Sequence, residues 1–334
     1  MMQIRSQRRW ALKRSHKHME GRHETVLLEE AVDALDIQSD DVVVDATLGG
    51  AGHFRELLKR LGTNGTLIGI DADEDALTRA QAVVDEVPEG DRPTVRLVHG
   101  NFRDLGIVLE EAGVTPTKVL FDLGWSGFHL TRGRGFSFKA DEPLHMTYGD
   151  PAQTTTAADL VNHLSETSLA DLLWSLGEER FARSIAKSIV AQREEGPLET
   201  TFDLVRAVEQ GTPSWYQHRR INPATKTFQA LRIAVNDELG ALRDGLSAAV
   251  ERLPVGGRVA VITFHSIEDR IVKLMLREAA ETGKGTLVHR KPVVPSSAES
   301  SRNPRARSAK LRTYQSGPAI TKNRYNLTTF PAYA

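Results

Sequence analysis

The sequence predicts a doubly wound α/β sheet interrupted by an all-helical insertion, and three observations carry that prediction. Short apolar runs alternate with amphipathic helical stripes from Val26 onward; the first run ends in an aspartate and a glycine-rich turn; and strand-like runs vanish between about 128 and 235 while helical patterns continue. The elements follow in order. Leu27, Leu28, Ala31, Val32 and Leu35 recur at helical spacing, and the apolar run at 42–44 reads as a buried strand. A helix near 54–61, a strand at 66–70, a helix about 76–84 and a third strand at 95–98 come next, then a helix near 105–112 and a fourth strand at 119–123. Strand and helix alternating at this spacing build parallel βαβ units, with ligands held at the carboxyl ends of the strands. Helices at 157–164, 169–176, 181–192 and 202–209 fill the interruption. The alternation resumes with a helix at 237–253, a turn at 254–257 and a buried strand at 258–264, and the Pro- and Ser-rich stretch 283–303 reads as loop or poorly ordered chain. The expected organisation is a basic arm (1–23), a discontinuous α/β domain (24–127 and 236–334) and a helical inserted domain (128–235).

The composition narrows the chemistry. The chain has 334 residues, 40% hydrophobic and 26% charged, and no cysteine, which excludes disulfides, thiolate zinc, iron–sulfur clusters and a cysteine nucleophile. No run of about 18 apolar residues occurs, and the N-terminal stretch lacks the apolar core of a secretory signal. A cytoplasmic protein is expected, with an organellar transit peptide in the Arg-rich arm as the second choice. Residues 1–23 carry seven Lys/Arg against one Glu, and residues 290–334 carry nine against one. Removing these +6 and +8 ends from a total of −1 leaves −15 for residues 24–289. Basic ends on an acidic body suit a polyanion, although solvated tails look the same on charge alone.

VVVDATLGGAGHF places Asp45 at the end of the first strand, before Gly49, Gly50 and Gly52 in a turn that opens a helix. Asp71 closes the second strand in LIGIDAD, where a carboxylate can accept bonds from both hydroxyls of a ribose. The dinucleotide fingerprint is incomplete, because Gly50 and Gly52 are followed by Arg55 where a third small residue belongs. S-adenosylmethionine has no pyrophosphate to cradle, and Asp45 can face its zwitterionic end, so a methyltransferase is favoured over a nicotinamide enzyme. Loop glycines and capping aspartates would look alike. Asn101 and Phe102 follow the third strand and Asp122 ends the fourth; Phe102 can pack on an adenine, and Asp122 stands where a transferable methyl group belongs.

GGAGH, LIGIDAD, HGNF and FDLG occur in this order, followed by RGFSF, EERFARSIAKSIV, NPATKTFQALRIAVNDEL, GGRVAVITFHSIEDRIVK and NPRARSAKLR. With these blocks the chain resembles the ribosomal RNA small subunit methyltransferase H family over roughly residues 23–313. The resemblance implies a Rossmann-like class I S-adenosylmethionine-dependent methyltransferase with an inserted all-helical domain. The implied substrate is the exocyclic amino nitrogen N4 of cytidine 1402 in 16S rRNA of the small subunit. The implied cofactor contacts fall on Ala51, Gly52, His53, Asp71, Phe102, Asp122 and the position held by His129. The chain departs from the family pattern where DLGVSSPQLD becomes DLGWSGFHLT, with Trp125 for a small residue and His129 for Gln, and where DGPLDMRMD becomes DEPLHMTYGD, with Glu142, His145 and Thr147 replacing Gly, Asp and Arg.

Without a cysteine, transfer to nitrogen or oxygen remains. An amine whose lone pair is delocalised must be aligned with the methyl group and given hydrogen-bond acceptors; Asp122 and the Leu123 carbonyl are the candidates, with Ser126 holding the base edge. Trp125 offers either a stacking face for a flipped base or simple interdomain packing. His265 is placed to line the substrate cleft, and Ser266 with Asp269 reads as a helix-start capping pair. His265, Glu268 and Asp269 lack a second ligand cluster, so no catalytic metal is expected. Arg302, Arg305, Arg307, Lys310 and Arg312 are the expected phosphate contacts, together with the arm. The substituted loop leaves a second reading open, a catalytically weakened RNA-binding assembly factor. A homodimer is left open too.

Overall fold

The computed structural model describes residues 24–124, 133–219 and 221–318. Seven strands form one sheet in the order β3-β2-β1-β4-β5-β7-β6. The strands β1 (Val42–Asp45), β2 (Thr66–Asp71), β3 (Thr94–His99), β4 (Lys118–Asp122) and β5 (Arg258–Thr263) are parallel. Strand order reverses at β1, so a crevice opens beyond its carboxyl end. β1, β2, β4 and β5 are covered on both faces, which explains their unbroken Val, Ile and Leu runs; β3, at the edge, carries exposed Thr94, Arg96 and His99.

One face of the sheet is covered by α1 (Leu28–Leu35), α2 (Gly52–Arg60) and α3 (Glu74–Asp85), whose Leu35, Phe54, Leu57 and Ala80 are fully buried. Burying a side chain such as Phe54 contributes about 1.5–3 kcal/mol. α4 (Leu105–Ala112) covers the other face together with two helices from beyond the interruption, α11 (Glu238–Arg252) and α12 (Ser266–Glu281). Leu246, Val272 and Leu276 pack there against Val44, Ile68 and Phe121.

Between β4 and α11 lie α5 (Ala157–His163), α6 (Glu166–Gly177), α7 (Ala182–Glu195), α8 (Thr201–Gln210), α9 (Ser214–Gln217) and α10 (Thr225–Asn236), around a separate core of Val161, Leu173, Ile185, Leu204 and Leu231. Thr156 with Asp159 and Thr200 with Asp203 form capping boxes that satisfy the first amides of α5 and α8. A Cβ on Gly177 would meet the Lys226 carbonyl at 2.7 Å, so α6 and α10 cross in close contact because that residue has no side chain. Asp237 adopts φ 43°, a left-handed conformation that separates α10 from α11.

Two expectations are corrected. The stretch 283–303 is ordered structure: it holds β6 (Gly285–Leu287) and α13 (Ser297–Arg302), and β7 (Lys310–Ser316) inserts antiparallel between β5 and β6. The cap of α12 is His265, whose Nδ1 accepts from the Glu268 amide, and not Ser266. Ser266 Oγ donates to Glu178 of the insertion instead, and Asp269 binds Lys310 and Arg312. Among the described residues no helix is long and apolar enough to cross a membrane.

Candidate active site

A cavity of about 400 Å³ lies between the carboxyl ends of the parallel strands and the helical insertion. On the sheet side, Ala51 is the left-handed N-cap of α2 at φ 60°, and Gly49 precedes it at φ 48°. Asp71 holds this turn: its Oδ2 accepts from the Gly49 amide at 2.8 Å and its Oδ1 from the Asp73 amide at 2.9 Å. Arg79 Nε donates to the Gly49 carbonyl at 2.9 Å. Gly52 faces Thr25 so closely that a Cβ would lie 1.8 Å from its hydroxyl, so the chain before α1 runs directly over the glycine turn. Burial pushes the Asp71 carboxyl up, against the two amides that favour its charge.

Asp122, His53, Thr47 and Asp45 form one polar knot. The Asp122 amide donates to Thr47 Oγ1 at 2.7 Å, the Thr47 amide donates to Asp45 Oδ1 at 3.2 Å, and His53 Nδ1 lies 3.4 Å from Asp122 Oδ2. Asp45 is fully buried, and burial pushes its carboxyl up to about 7, while His53 and the Thr47 amide lower it and Asp122 and Asp71 add to the rise. Burial works to lower the imidazole pKa of His53, but Asp122 and Asp45 outweigh it and the net shift is upward. Asp45 Oδ2 and Asp122 Oδ1 are buried without a hydrogen-bond partner among the described residues. Unpaired buried acceptors of this kind favour a cationic or N–H-bearing ligand.

The opposite wall comes from the insertion and from α11 and α12. Arg232, itself buried, grips both oxygens of Glu238 at 2.7 and 2.8 Å, and Tyr148 Oη donates to the same carboxylate at 3.1 Å. Glu268 accepts from the Phe264 amide at 3.0 Å, and His265 Nε2 lies 3.0 Å from its other oxygen. Burial works to raise the pKa of Glu268, but His265 and Arg232 outweigh it and hold the carboxyl below the usual range. Glu238, His265 and Glu268 bring ligand atoms within 4.8 Å of one another, a grouping in which the Arg232 guanidinium already supplies the positive charge.

Of the residues singled out in the sequence, Gly50, Gly52, His53, Asp71, Phe102, Asp122, Leu123, His265 and Arg305 line this cavity. Phe102 also stands edge-on to Phe121, with ring centroids 5.7 Å apart. Asp45, expected to face a ligand, instead lies behind the wall, and Ala51 contributes backbone geometry. Trp125, Ser126 and His129 lie outside the described residues. Arg302 is exposed beside Glu24 at 3.3 Å, and exposed Arg307 donates to the Ser300 carbonyl. Lys310 and Arg312 differ from expectation: both bind Asp269, at 2.9 and 2.7 Å, because β7 lies beside β5 and directs them at α12. Sequence reasoning missed Arg232, Glu238 and Tyr148. A readable signal existed for Arg232, a lone charge between the buried Leu231 and Ile233.

The family model of the MraW methylases matches residues 20–316. The ribosomal RNA small subunit methyltransferase H of Deinococcus radiodurans is 47% identical over 292 residues, covering 87% of this chain and 88% of the relative. The protein of the same name from Lachnospira eligens is 40% identical over 314 residues, covering 89% and 98%. Among solved structures, an rRNA methylase from Streptococcus thermophilus aligns at a TM-score of 0.41 and 10% identity, over 89% of this chain and 99% of that one. A family model spanning most of the sequence, together with relatives of this identity over nearly their full length, shows that the chain belongs to the MraW methylase family.

Proposed function

We propose that this protein transfers the methyl group of S-adenosylmethionine to the exocyclic amino nitrogen N4 of cytidine 1402 in 16S rRNA, in the cytoplasm, on the small ribosomal subunit. The observation that carries the reading is the cavity itself. It sets the Gly49–Gly52 turn, Asp71 and Phe102 around a space for an adenosine, next to an Asp122 carboxylate with an unpaired oxygen.

The residues present fit the cofactor. Asp71 has lone pairs left beyond its two amide bonds for ribose hydroxyls, and Phe102 offers a ring face at the adenine end. Asp122 faces the cationic end, while Asp45 adds negative potential from behind. S-adenosylmethionine, when bound, supplies an electrophilic methyl on a sulfonium. The chain supplies alignment and acceptors. Asp122 Oδ1 accepts a hydrogen bond from the amine, which draws the lone pair out of the ring and toward the methyl group; the N–C bond formed replaces the S–C bond broken, the donor leaves as a neutral thioether, and the amine's surplus proton passes to solvent. Holding reacting atoms in line contributes about 7–11 kcal/mol, so a strong base is unnecessary. His53 fixes the carboxylate through Oδ2 and leaves Oδ1 for the substrate.

The departures from the family pattern at His145 and Thr147 lie away from the cavity and so lend no support to the assembly-factor reading. Thr147 is buried and bonds Thr154 at 3.1 Å, the His145 backbone carbonyl caps α5 through the Ala157 amide, and neither residue lines the cavity. Glu142, the third departure in this loop, accepts from the Gly135 amide and ties the loop internally. The testing experiment incubates the protein with isotopically labelled S-adenosylmethionine and small subunits lacking this methylation, followed by mass spectrometry of the RNA nucleosides. Labelled N4-methylcytidine at the decoding centre is the expected result. Absence of label with cofactor bound would sink it.

A further inference from the structure

We propose that an aromatic and arginine platform on the insertion, built around Trp215, holds a single-stranded segment of the RNA next to the cavity. This rests on the reading of the protein as an RNA-modifying enzyme and names a surface for that substrate. Trp215 is 55% exposed although it sits in an ordered cluster, with its ring edge-on to Phe181 and Tyr216 at 5.8 Å in each case. Phe181 and Tyr216 themselves meet at 4.8 Å. Two exposed guanidinium groups flank the rings: Arg180 lies 5.7 Å from the Phe181 centroid and 5.8 Å from that of Trp215, and Arg219 lies 5.3 Å from that of Tyr216.

What sets Trp215 apart is its company: an exposed indole held in place by two further rings and accompanied by two guanidinium groups. The underside of the cluster is already closed, because Tyr216 is buried and its hydroxyl donates to Glu179, which is fully buried, at 3.0 and 3.1 Å. That carboxylate is buried at the hydroxyl end of Tyr216, whereas Arg180 and Arg219 are exposed. The exposed side therefore offers an indole with Arg180 already over its ring and Arg219 nearby over Tyr216, a pairing of aromatic surface and cations that takes a base and its neighbouring phosphates in a single strand. Charge complementarity selects a polyanion over an apolar protein segment.

The platform adjoins the seam between insertion and sheet. Glu178, two residues before Arg180, accepts from Ser266 at 2.7 Å and Arg270 at 2.9 Å, and Lys226 Nζ donates to its carbonyl at 2.6 Å. Ser266 and Lys226 are chain neighbours of His265 and Thr225, which line the cavity. The platform is thereby tied, through Glu178, to the border of the site.

The test compares wild type, Trp215→Ala, Trp215→Phe and Arg180→Gln in filter binding to small subunits and to protein-free single-stranded 16S fragments, alongside methyl-transfer kinetics. Trp215→Ala is expected to weaken binding to both RNA forms about tenfold and to raise KM for subunits without lowering kcat, while Trp215→Phe restores most of the affinity. Arg180→Gln should flatten the dependence of log affinity on log salt by about 0.7. Unchanged binding by Trp215→Ala overturns the platform even if methylation is normal. A defect on whole subunits but not on naked RNA assigns the surface to a ribosomal protein and also overturns it. If wild type binds RNA through Trp215 yet transfers no methyl group, the enzymatic reading fails and the platform stands.

Discussion

Asp45, behind the sheet wall of the cavity, and Glu268, in the opposite wall, are both almost completely buried carboxylates, yet their environments drive them in opposite directions. Glu268 has His265 and Arg232 nearby and an amide donor on one oxygen, and it stays ionised. Asp45 shares its knot with the Asp122 carboxylate and one imidazole, feels Asp71 as well, leaves one oxygen unpaired, and rises to about 7. Burial alone therefore does not determine the charge of a group; the set of cations and donors around it does. The insertion wall is internally neutralised and acts as structure. The sheet wall is left short of positive charge, which suits a cationic ligand.

The strongest way to break this comparison is on the satisfied wall. Arg232→Ala strands Glu238 without its guanidinium and should cost about 3–5 kcal/mol of stability, read as a fall in Tm, whereas replacing Arg232 and Glu238 together by Met and Leu should recover most of it. A single variant as stable as wild type would show that the pair is not the support inferred. On the unsatisfied wall the reverse pattern is expected. Asp122→Ala should lower kcat by about 10²–10³ while leaving Tm unchanged or raised, because it relieves a crowd of carboxylates. A loss of Tm comparable to that of Arg232→Ala would erase the distinction between the walls.

A third contrast is in pH. Asp45 has its folded-state value raised above the unfolded one, so the folded protein binds the extra proton between about pH 4 and 7 and loses that stabilisation as pH rises through about 7. A cationic ligand favours the ionised form, so affinity for S-adenosylmethionine should rise between pH 6 and 8, with proton release on binding. Calorimetry in buffers of different ionisation enthalpy reads this, and Asp45→Asn should flatten it. The smallest effect concerns the C-terminal cations. Lys310→Gln with Arg312→Gln should leave the salt slope of RNA binding nearly unchanged, because the buried Asp269 already holds both groups, whereas Arg302→Gln with Arg307→Gln, at exposed side chains, should reduce it by about 1.4. Equal slopes for the two pairs would remove the distinction.

Much of the sheet was legible because β1, β2, β4 and β5 are covered on both faces and must be continuous apolar runs. β7 was not, since Lys310 and Arg312 alternate with Leu311 and Thr313, and its pairing partners lie far away in sequence. The same division runs through the site. Asp71 and Asp122 could be found because strand ends in a doubly wound sheet converge by topology. Tyr148, Arg232 and Glu238 meet only through packing of the insertion, across separations such as the 90 residues from Tyr148 to Glu238, which no local pattern encodes.

The contact of the Leu27 amide with Glu299, 272 residues on, stands beside those of Glu24 with Arg302 and Asn303. Together they fasten the segment that crosses the glycine turn to a helix near the other end of the chain. During synthesis the early strands and α2 emerge long before that helix exists, so the turn remains uncovered on the nascent chain. Completion of the cradle is therefore a late event in biogenesis, and a partly made chain cannot hold its ligand as the finished protein does.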